Sequence, residues 1–596
     1  MALLRGRSTV IAAKSATWIA DARETSMGEA KWEHRMLAGV LLATCLVLLP
    51  KFWNGFVYDD IFVFVVNNTI HDPANIPSLF THNAIWVVGR VDPMVIDTYR
   101  PLTLTTFALD SIWTGRNPFG YHLVNLLLHL ACIVLVYAVA RAAMRPDNRR
   151  FAWVPAAWFG LSPWLGEAHI WINGRSDPLC ALFVLGSFLI WDRALTSKRW
   201  QLHAATAALM FCALLCKEVA LGVLPSFLLW PSLQRLNLSA RQRIMALWSP
   251  TLGAAAYLVV RLTVLGGLKS HQDTAQLSEA VSNFGLLFFD ALRAAVAPSP
   301  PYLKSLVESY IGVPQAVRWA ALVAALVVIA LAVSMRRRHA ALAWSVVLFA
   351  GALAPASLIT TLIWPGFGRY LYLPLAGLCI GVVDTLIAGL ERLGAFGKPS
   401  TKRIVVLGVG LYLAGSAFLL HSFARDFHDD GTLYGAVIQH VPDQAYGHAF
   451  LGMSLVTHGH ADAAIEYLRE AVRIQPLEPK YRFFLGQALV RTGGQREAAG
   501  LAERWLRNGR PQDAPQYLLV IVDAVESTDP PRATAAALAC LHRDPGWGTC
   551  LQRLQTLTDQ HPRAKEYRAA VREQLARPQN RSIAPRVESA LELGSR

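Results

Sequence analysis

Over its first two thirds the chain alternates long apolar runs with short polar breaks, and then changes to amphipathic segments with helical spacing. A bilayer core about 30 Å thick asks for roughly 20 apolar residues per helix. Eleven runs qualify, at about 36–53, 119–140, 151–165, 178–192, 201–216, 219–234, 244–265, 316–335, 340–363, 370–391 and 404–424. Two long loops lie between them, 54–118 and 266–315. In the second, Phe284, Leu287, Phe288 and Leu292 fall at helical spacing, which predicts an amphipathic helix near 281–297 along a membrane surface.

Past residue 440 the pattern repeats every 34 residues. Pro442 recurs as Pro476, Phe450 as Phe484, Leu451 as Leu485, Gly452 as Gly486, Leu455 as Leu489, Gly459 as Gly493 and Ala464 as Ala498. Period and small-residue positions match the tetratricopeptide repeat, where Gly and Ala let two helices approach closely. About three stacked units are needed for stability, so 511–577 is expected to supply degenerate repeats or a cap, and 578–596 an extended tail. The predicted fold is all-α: a polytopic membrane helix bundle with about 11 transmembrane helices, followed by a repeat α-solenoid. Its parts are a tail over 1–35, a membrane domain over 36–424 and a repeat domain over 425–577.

Composition sharpens this division. Of 596 residues 54% are apolar and 16% charged, against about 25% charged in soluble domains. Residues 1–424 carry 35 Lys+Arg and 21 Asp+Glu, whereas the remaining 172 carry 21 and 20. The net charge of +15 thus divides as +14 and +1. Lys and Arg are retained on the cytoplasmic side of short loops. The N-terminal tail and every second loop hold 23 of them in about 77 residues, the alternate loops 9 in about 137. The N-terminus is therefore expected in the cytoplasm and, after an odd number of spans, the repeat domain on the opposite face. Topology accounts for the basic balance, and no basic-aromatic strip points to nucleic acid. The first apolar run follows a 35-residue basic tail and has no A-x-A site behind it, so it reads as a retained helix. Cysteines offer no Cys-x-x-Cys metal spacing; Cys540 and Cys550 alone sit in the soluble part, where a disulfide is open to them if that part faces an oxidising compartment.

Charged groups next to apolar helices ask for a reason. Asp59 and Asp60 follow the first run directly, and two adjacent carboxylates in a poorly hydrated place raise one pKa and prepare a general base. Further polar groups stand at the same ends of other helices: Arg100, then His122, Asn125 and His129 on one helical stripe, then Glu167, His169, Arg175 and Asp177, then Lys217-Glu218, then Arg369-Tyr370. Any one of these reads as readily as a turn or a satisfied core side chain; five segments converging on one face do not. Arg offers a planar fork to phosphate oxygens and Lys a point charge. Arg175, Arg369, Lys217 and Arg100 therefore suit a phosphate at headgroup level, hence a lipid-phosphate substrate.

Asp59-Asp60, YRPL, NPFGYHLVNLLLH, SPWLGEAHIWINGRSD, LLCKEVAL and GRYLYLPLAG, in this order and ahead of 34-residue repeats, resemble the transmembrane and tetratricopeptide repeat containing O-mannosyltransferases and their bacterial relatives, within the GT-C superfamily of membrane glycosyltransferases. The resemblance implies that the acidic pair supplies the catalytic base. It implies a donor site lined by Glu167, Arg175, Asp177, Lys217, Glu218, Arg369 and Tyr370. The sequence departs from the family at Ser162, where a histidine is usual, and at Gly368, where an acid is common. Metal preference is therefore not carried over, and a divalent cation stays open.

The chemistry implied is inverting transfer of a mannose-like hexose from a polyprenyl-phosphate donor. Asp59 or Asp60 would deprotonate the acceptor, and Arg and Lys would stabilise the departing phosphate. No phosphate-binding Gly-rich fingerprint for a nucleotide is present. The acceptor expected is Ser or Thr of exported proteins delivered by the repeats, with a glycan or lipid acceptor, or a non-catalytic membrane scaffold, as rivals. Ala, Leu and Arg richness favours a bacterial inner membrane with a periplasmic repeat domain; Asn67-Asn68-Thr69 would be a glycosylation sequon in the alternative, the endoplasmic reticulum.

Overall fold

In a computed structural model the chain is described over 31–591, apart from 67, 83–98, 198, 235, 237–241, 243, 245, 266–273, 300, 302–309, 311, 362–367, 510–512, 544–547, 578–579 and 581. Every regular element among the described residues is helical. The chain divides into two compact units, one reaching to His428 and one from Asp429.

In the first unit seven helices are long and apolar enough to cross a membrane: Pro118–Ala143, Ile172–Thr196, Trp248–Leu265, Gln315–Arg337, Ala340–Ser357, Gly368–Arg392 and Pro399–Asp426. This marks an integral membrane protein. The other four expected spans are shorter than that test. The first is a helix over 31–47 ended by a 3₁₀ turn, Leu49–Trp53; the others are Trp153–Leu161, Trp200–Cys216 and Glu218–Phe227. Proline explains one of these breaks, because Pro163 enters just where the ladder of Trp153–Leu161 would need an N–H to continue.

Burial separates lipid-facing helices from central ones. Only 11% of the apolar window of Pro399–Asp426 and 17% of that of Gln315–Arg337 is buried, against 72% for Gly368–Arg392. Arg369 therefore stands on the helix with the most protein around it. Lipid tails are as apolar as leucine, so packing rather than water exclusion holds such a bundle together. Its interior is dense: Phe188 stacks on Phe227 at 4.2 Å, and Trp344 meets Phe188 edge-on at 5.4 Å. Trp230 Nε1 donates to Asp192 Oδ1 (2.8 Å), leaving the indole no unmet donor. The amphipathic segment of the second long loop is a helix over Thr274–Val296; Leu287, Phe288 and Ala291 are buried, Leu277 and Phe289 exposed.

In the second unit helices run in pairs whose bounds recur after 34 residues, Ala445–Thr457 with Ala461–Ile474, then Pro479–Arg491 with Gln495–Asn508. Gly459 and Gly493 join the members of each pair at φ +85° and +88°, a left-handed conformation that favours glycine. Helices Ala514–Val525, Pro530–Arg543, Gly548–Asp559 and Ala564–Leu575 follow. Cys540 and Cys550 are bridged by a disulfide. The tail expected to be extended is instead helical over Ala584–Ala590, because Ile583, Val587 and Leu591, four apart, bury one stripe in the core of this unit.

Candidate functional site

The site assembles at the ends of helices in the first unit. After the Leu49–Trp53 turn the chain reverses through Tyr58, the one non-glycine among the described residues with positive φ (56°). A bulky side chain rarely holds that conformation, and such residues cluster at functional sites. The reversal fixes the acidic pair unequally. Asp60 is fully buried; its Oδ1 accepts from the Asn173 N–H (3.0 Å) and its Oδ2 from the Val57 N–H (3.4 Å). Asp59 is half-buried.

Tyr58 connects this turn to residues hundreds of positions later. Its ring lies 5.4 Å from that of Trp171, and Arg369 sits over Trp171 at 4.9 Å and over Tyr370 at 5.1 Å. Burial holds the Tyr58 hydroxyl well above the usual phenol range; Asp59, Tyr370 and Glu167 add to this, and Arg369 opposes it. Tyr58, Trp171, Arg369 and Tyr370 thus form one packed cluster. Glu167, on the short helix Gly166–Ile170, accepts from the Arg369 N–H (3.3 Å) and pairs with its guanidinium at 3.8 Å. Burial raises the Glu167 carboxyl above its usual range, against the pull of Arg369. Gly368 permits this approach: a Cβ there would lie 2.3 Å from the Trp164 carbonyl oxygen.

Beside this group, Lys217 Nζ donates to both oxygens of Asp177 at 2.6 Å and lies 4.7 Å from the Tyr370 ring centroid. The sequence arranges the pair locally. Asp177 stands in the first turn of Ser176–Thr196 and Lys217 just after the end of Trp200–Cys216, each the sign the helix dipole favours there. One step further, Glu218 pairs with Arg100 at 3.1 Å and Arg261 at 3.3 Å.

Arg175 goes elsewhere. It is fully buried, pairs with Asp110 at 2.5 Å, and donates to Asn125 Oδ1 (2.5 Å), Thr106 Oγ1 (3.3 Å) and the Tyr121 carbonyl (3.0 Å). Asn125 in turn donates to the Trp171 and Ile172 carbonyls, so this limb fixes the backbone that binds Asp60. His122 is buried in reach of the Lys51 and Arg175 charges. His129 bonds the Tyr372 hydroxyl (2.7 Å) and stacks on His169 at 3.9 Å.

Sequence reading missed Asp110, Arg261 and Lys51, whose Nζ donates to the His169 carbonyl at 2.8 Å. Each is a charge inside or beside an apolar run, a signal that was there to be read. As to a divalent cation, among the described residues no three His, Cys, Asp or Glu side chains group to hold a metal ion.

No protein-family profile and no solved structure matches the chain. Curated proteins do. It is 33% identical over 207 residues, 34% of this chain and 23% of the relative, to Protein O-mannosyl-transferase Tmtc1 of Drosophila melanogaster. With Protein O-mannosyl-transferase TMTC1 of Homo sapiens the figures are 36% over 162 residues, 27% and 18%; with human TMTC3, 30% over 184 residues, 30% and 20%. The chain spans about a fifth of the length of the curated relatives it matches.

Proposed function

We propose that this chain, TMTC-like over about a third of its length, is an inverting glycosyltransferase. It moves a mannose-like hexose from a polyprenyl-phosphate donor to Ser or Thr hydroxyls of exported proteins, on the non-cytoplasmic face of the membrane. The single observation that carries this reading is one packed cluster: Tyr58, next in the chain to Asp59, lies against Trp171, Arg369 sits over Trp171 and Tyr370, and Glu167 pairs with Arg369. Acid and base from far-separated segments share one poorly hydrated place.

The two aspartates take different roles. Asp60 is held by two backbone N–H groups and braces the turn. Asp59, half-buried beside Tyr58, is the general base that takes the acceptor proton as the hydroxyl oxygen attacks the anomeric carbon. The departing lipid phosphate is received by Arg369, held over Trp171, and by Arg100, whose side chain is 29% exposed. Lys217 and Arg175 are buried in ion pairs and act as positioning residues. Eleven spans, with the shorter helices lodged within the bundle, keep the charge alternation of the loops. The helix pairs recurring at 34 residues are read as tetratricopeptide repeats that present the polypeptide acceptor, and the Cys540–Cys550 bridge suits an oxidising compartment such as a periplasm.

Transfer from a defined lipid-linked mannose tests the assignment. Asp59→Asn is expected to lower turnover by about 10²–10⁴, the usual worth of a general base. Unchanged turnover in Asp59→Asn would overturn the base assignment; unchanged turnover in both Asp59→Asn and Arg369→Lys would overturn catalysis at this site.

A further inference from the structure

A second polar site lies in the first unit, away from the acidic pair. It is a cavity of about 230 Å³ lined by Arg145, Arg149, Arg337, Arg338, Gln234 and Asp384, among others. The arginines come from separate stretches of chain: Arg145 just after Pro118–Ala143, Arg149 in the turn Pro146–Phe151, Arg337 and Arg338 where Gln315–Ser334 runs out. Asp384 lies twelve residues after Tyr372 on one helix, about 18 Å along it at 1.5 Å per residue. The cavity is therefore remote from Arg369.

Its charge is unbalanced. Asp384, the one carboxylate in the lining, accepts from the Arg145 N–H (3.0 Å) and the Asn148 amide (2.8 Å) and pairs with the Arg145 guanidinium at 3.4 Å. Arg145 is further anchored on the Arg338 carbonyl (3.2 Å) and on His339 Nδ1 (3.1 Å). Arg149, Arg337 and Arg338 form no ion pair with a carboxylate among the described residues, although the charge of Arg149 reaches Asp192, which is not in the lining. Three exposed arginines thus line one space whose fixed wall is Arg145.

We propose that this cavity binds the phosphate of an anionic membrane lipid. Guanidinium forks match phosphate oxygens in pairs, and basic pockets between membrane helices on the cytoplasmic side suit anionic headgroups. The volume is below the roughly 300–1,000 Å³ of sites for drug-sized molecules and is ample for a phosphodiester with short arms. Orienting the loops needs only positive charge. It does not need the charges gathered around one cavity with a clamped arginine as its wall. The proposal is independent of glycosyl transfer.

Native mass spectrometry of the full chain, released from nanodiscs of equal phosphatidylglycerol and phosphatidylcholine, tests it. The wild type is expected to retain phosphatidylglycerol over phosphatidylcholine by at least about tenfold. Arg149→Gln/Arg337→Gln/Arg338→Gln should abolish that preference. Arg149→Lys/Arg337→Lys/Arg338→Lys keeps the charge that orients the loops but loses the forks, and should weaken retention severalfold while inserting normally. Equal retention of both lipids by the wild type, or a preference that neither triple variant changes, overturns the proposal. A parallel arm adds inorganic phosphate at millimolar concentration: displacement of phosphatidylglycerol supports a phosphate-reading site with lipid as its source. Phosphate binding that the Gln variant removes, without lipid preference, keeps the phosphate chemistry and overturns the lipid source.

Discussion

Removing either member of the Lys217–Asp177 pair strands a charge in the protein interior. Both side chains are nearly inaccessible, 3% and 4% exposed, and both carboxylate oxygens lie 2.6 Å from the ammonium nitrogen. Breaking a buried pair by removing one partner costs about 3–5 kcal/mol, whereas replacing both by neutral groups of similar size is often nearly neutral. Lys217→Met and Asp177→Asn are each expected to cost about 3–5 kcal/mol. The double variant should cost far less than their sum, with a coupling of about 3 kcal/mol. An ordinary hydrogen bond between membrane helices averages about 0.6 kcal/mol in such cycles, so the two cases are well separated. Reversible denaturation in mixed micelles, followed by tryptophan fluorescence, reads all four corners of the cycle. Donor affinity of the double variant then separates tether from ligand: if Lys217 only positions, affinity stays near wild type once stability returns. Strictly additive single-variant losses would refute the buried-pair reasoning, and lost donor affinity in a stable double variant would return Lys217 to the phosphate.

Two further perturbations probe other links. Burial raises the folded-state pKa of Glu167 above its unfolded value, so it lends stability that is fully present below the unfolded pKa and is lost as pH rises through the folded one. Glu167→Gln should flatten that part of the stability profile and lower turnover by loosening Arg369, its ion-pair partner; a parallel pH profile for both proteins would contradict the assigned environment. In the second unit the Cys540–Cys550 bridge spans a sequence separation of 10, for which loop-closure entropy predicts about 2–3 kcal/mol. Cys540→Ser, or reduction, should lower the melting temperature of that unit and leave the first unit's transition in place.

The amino-acid order alone carried the broad division of the molecule. Apolar run length set a membrane unit apart from a water-facing one, and the 34-residue recurrence of Gly459 as Gly493 foretold helix pairs with repeating bounds. It also marked which charges needed explaining, because an Arg or Asp beside twenty apolar residues is costly wherever the chain goes. Hydropathy counts residues and cannot see how they are covered. The short run 151–165 satisfied composition while Pro163 broke it, and the tail over 578–596 hid a buried stripe of only three residues.

What only the tertiary structure decided was which charge faces which. Arg175 and Arg369 read as equivalent phosphate ligands along the chain, yet one is enclosed by Asp110 and Asn125 while the other lies over Trp171 beside the Tyr58 turn. Asp59 and Asp60, adjacent in sequence, part company because the Asn173 N–H comes to meet only one of them. Charge and hydropathy are properties of a residue and survive in a one-dimensional string. Pairing depends on distances of a few ångströms between segments hundreds of positions apart, and those distances exist only once the helices have packed.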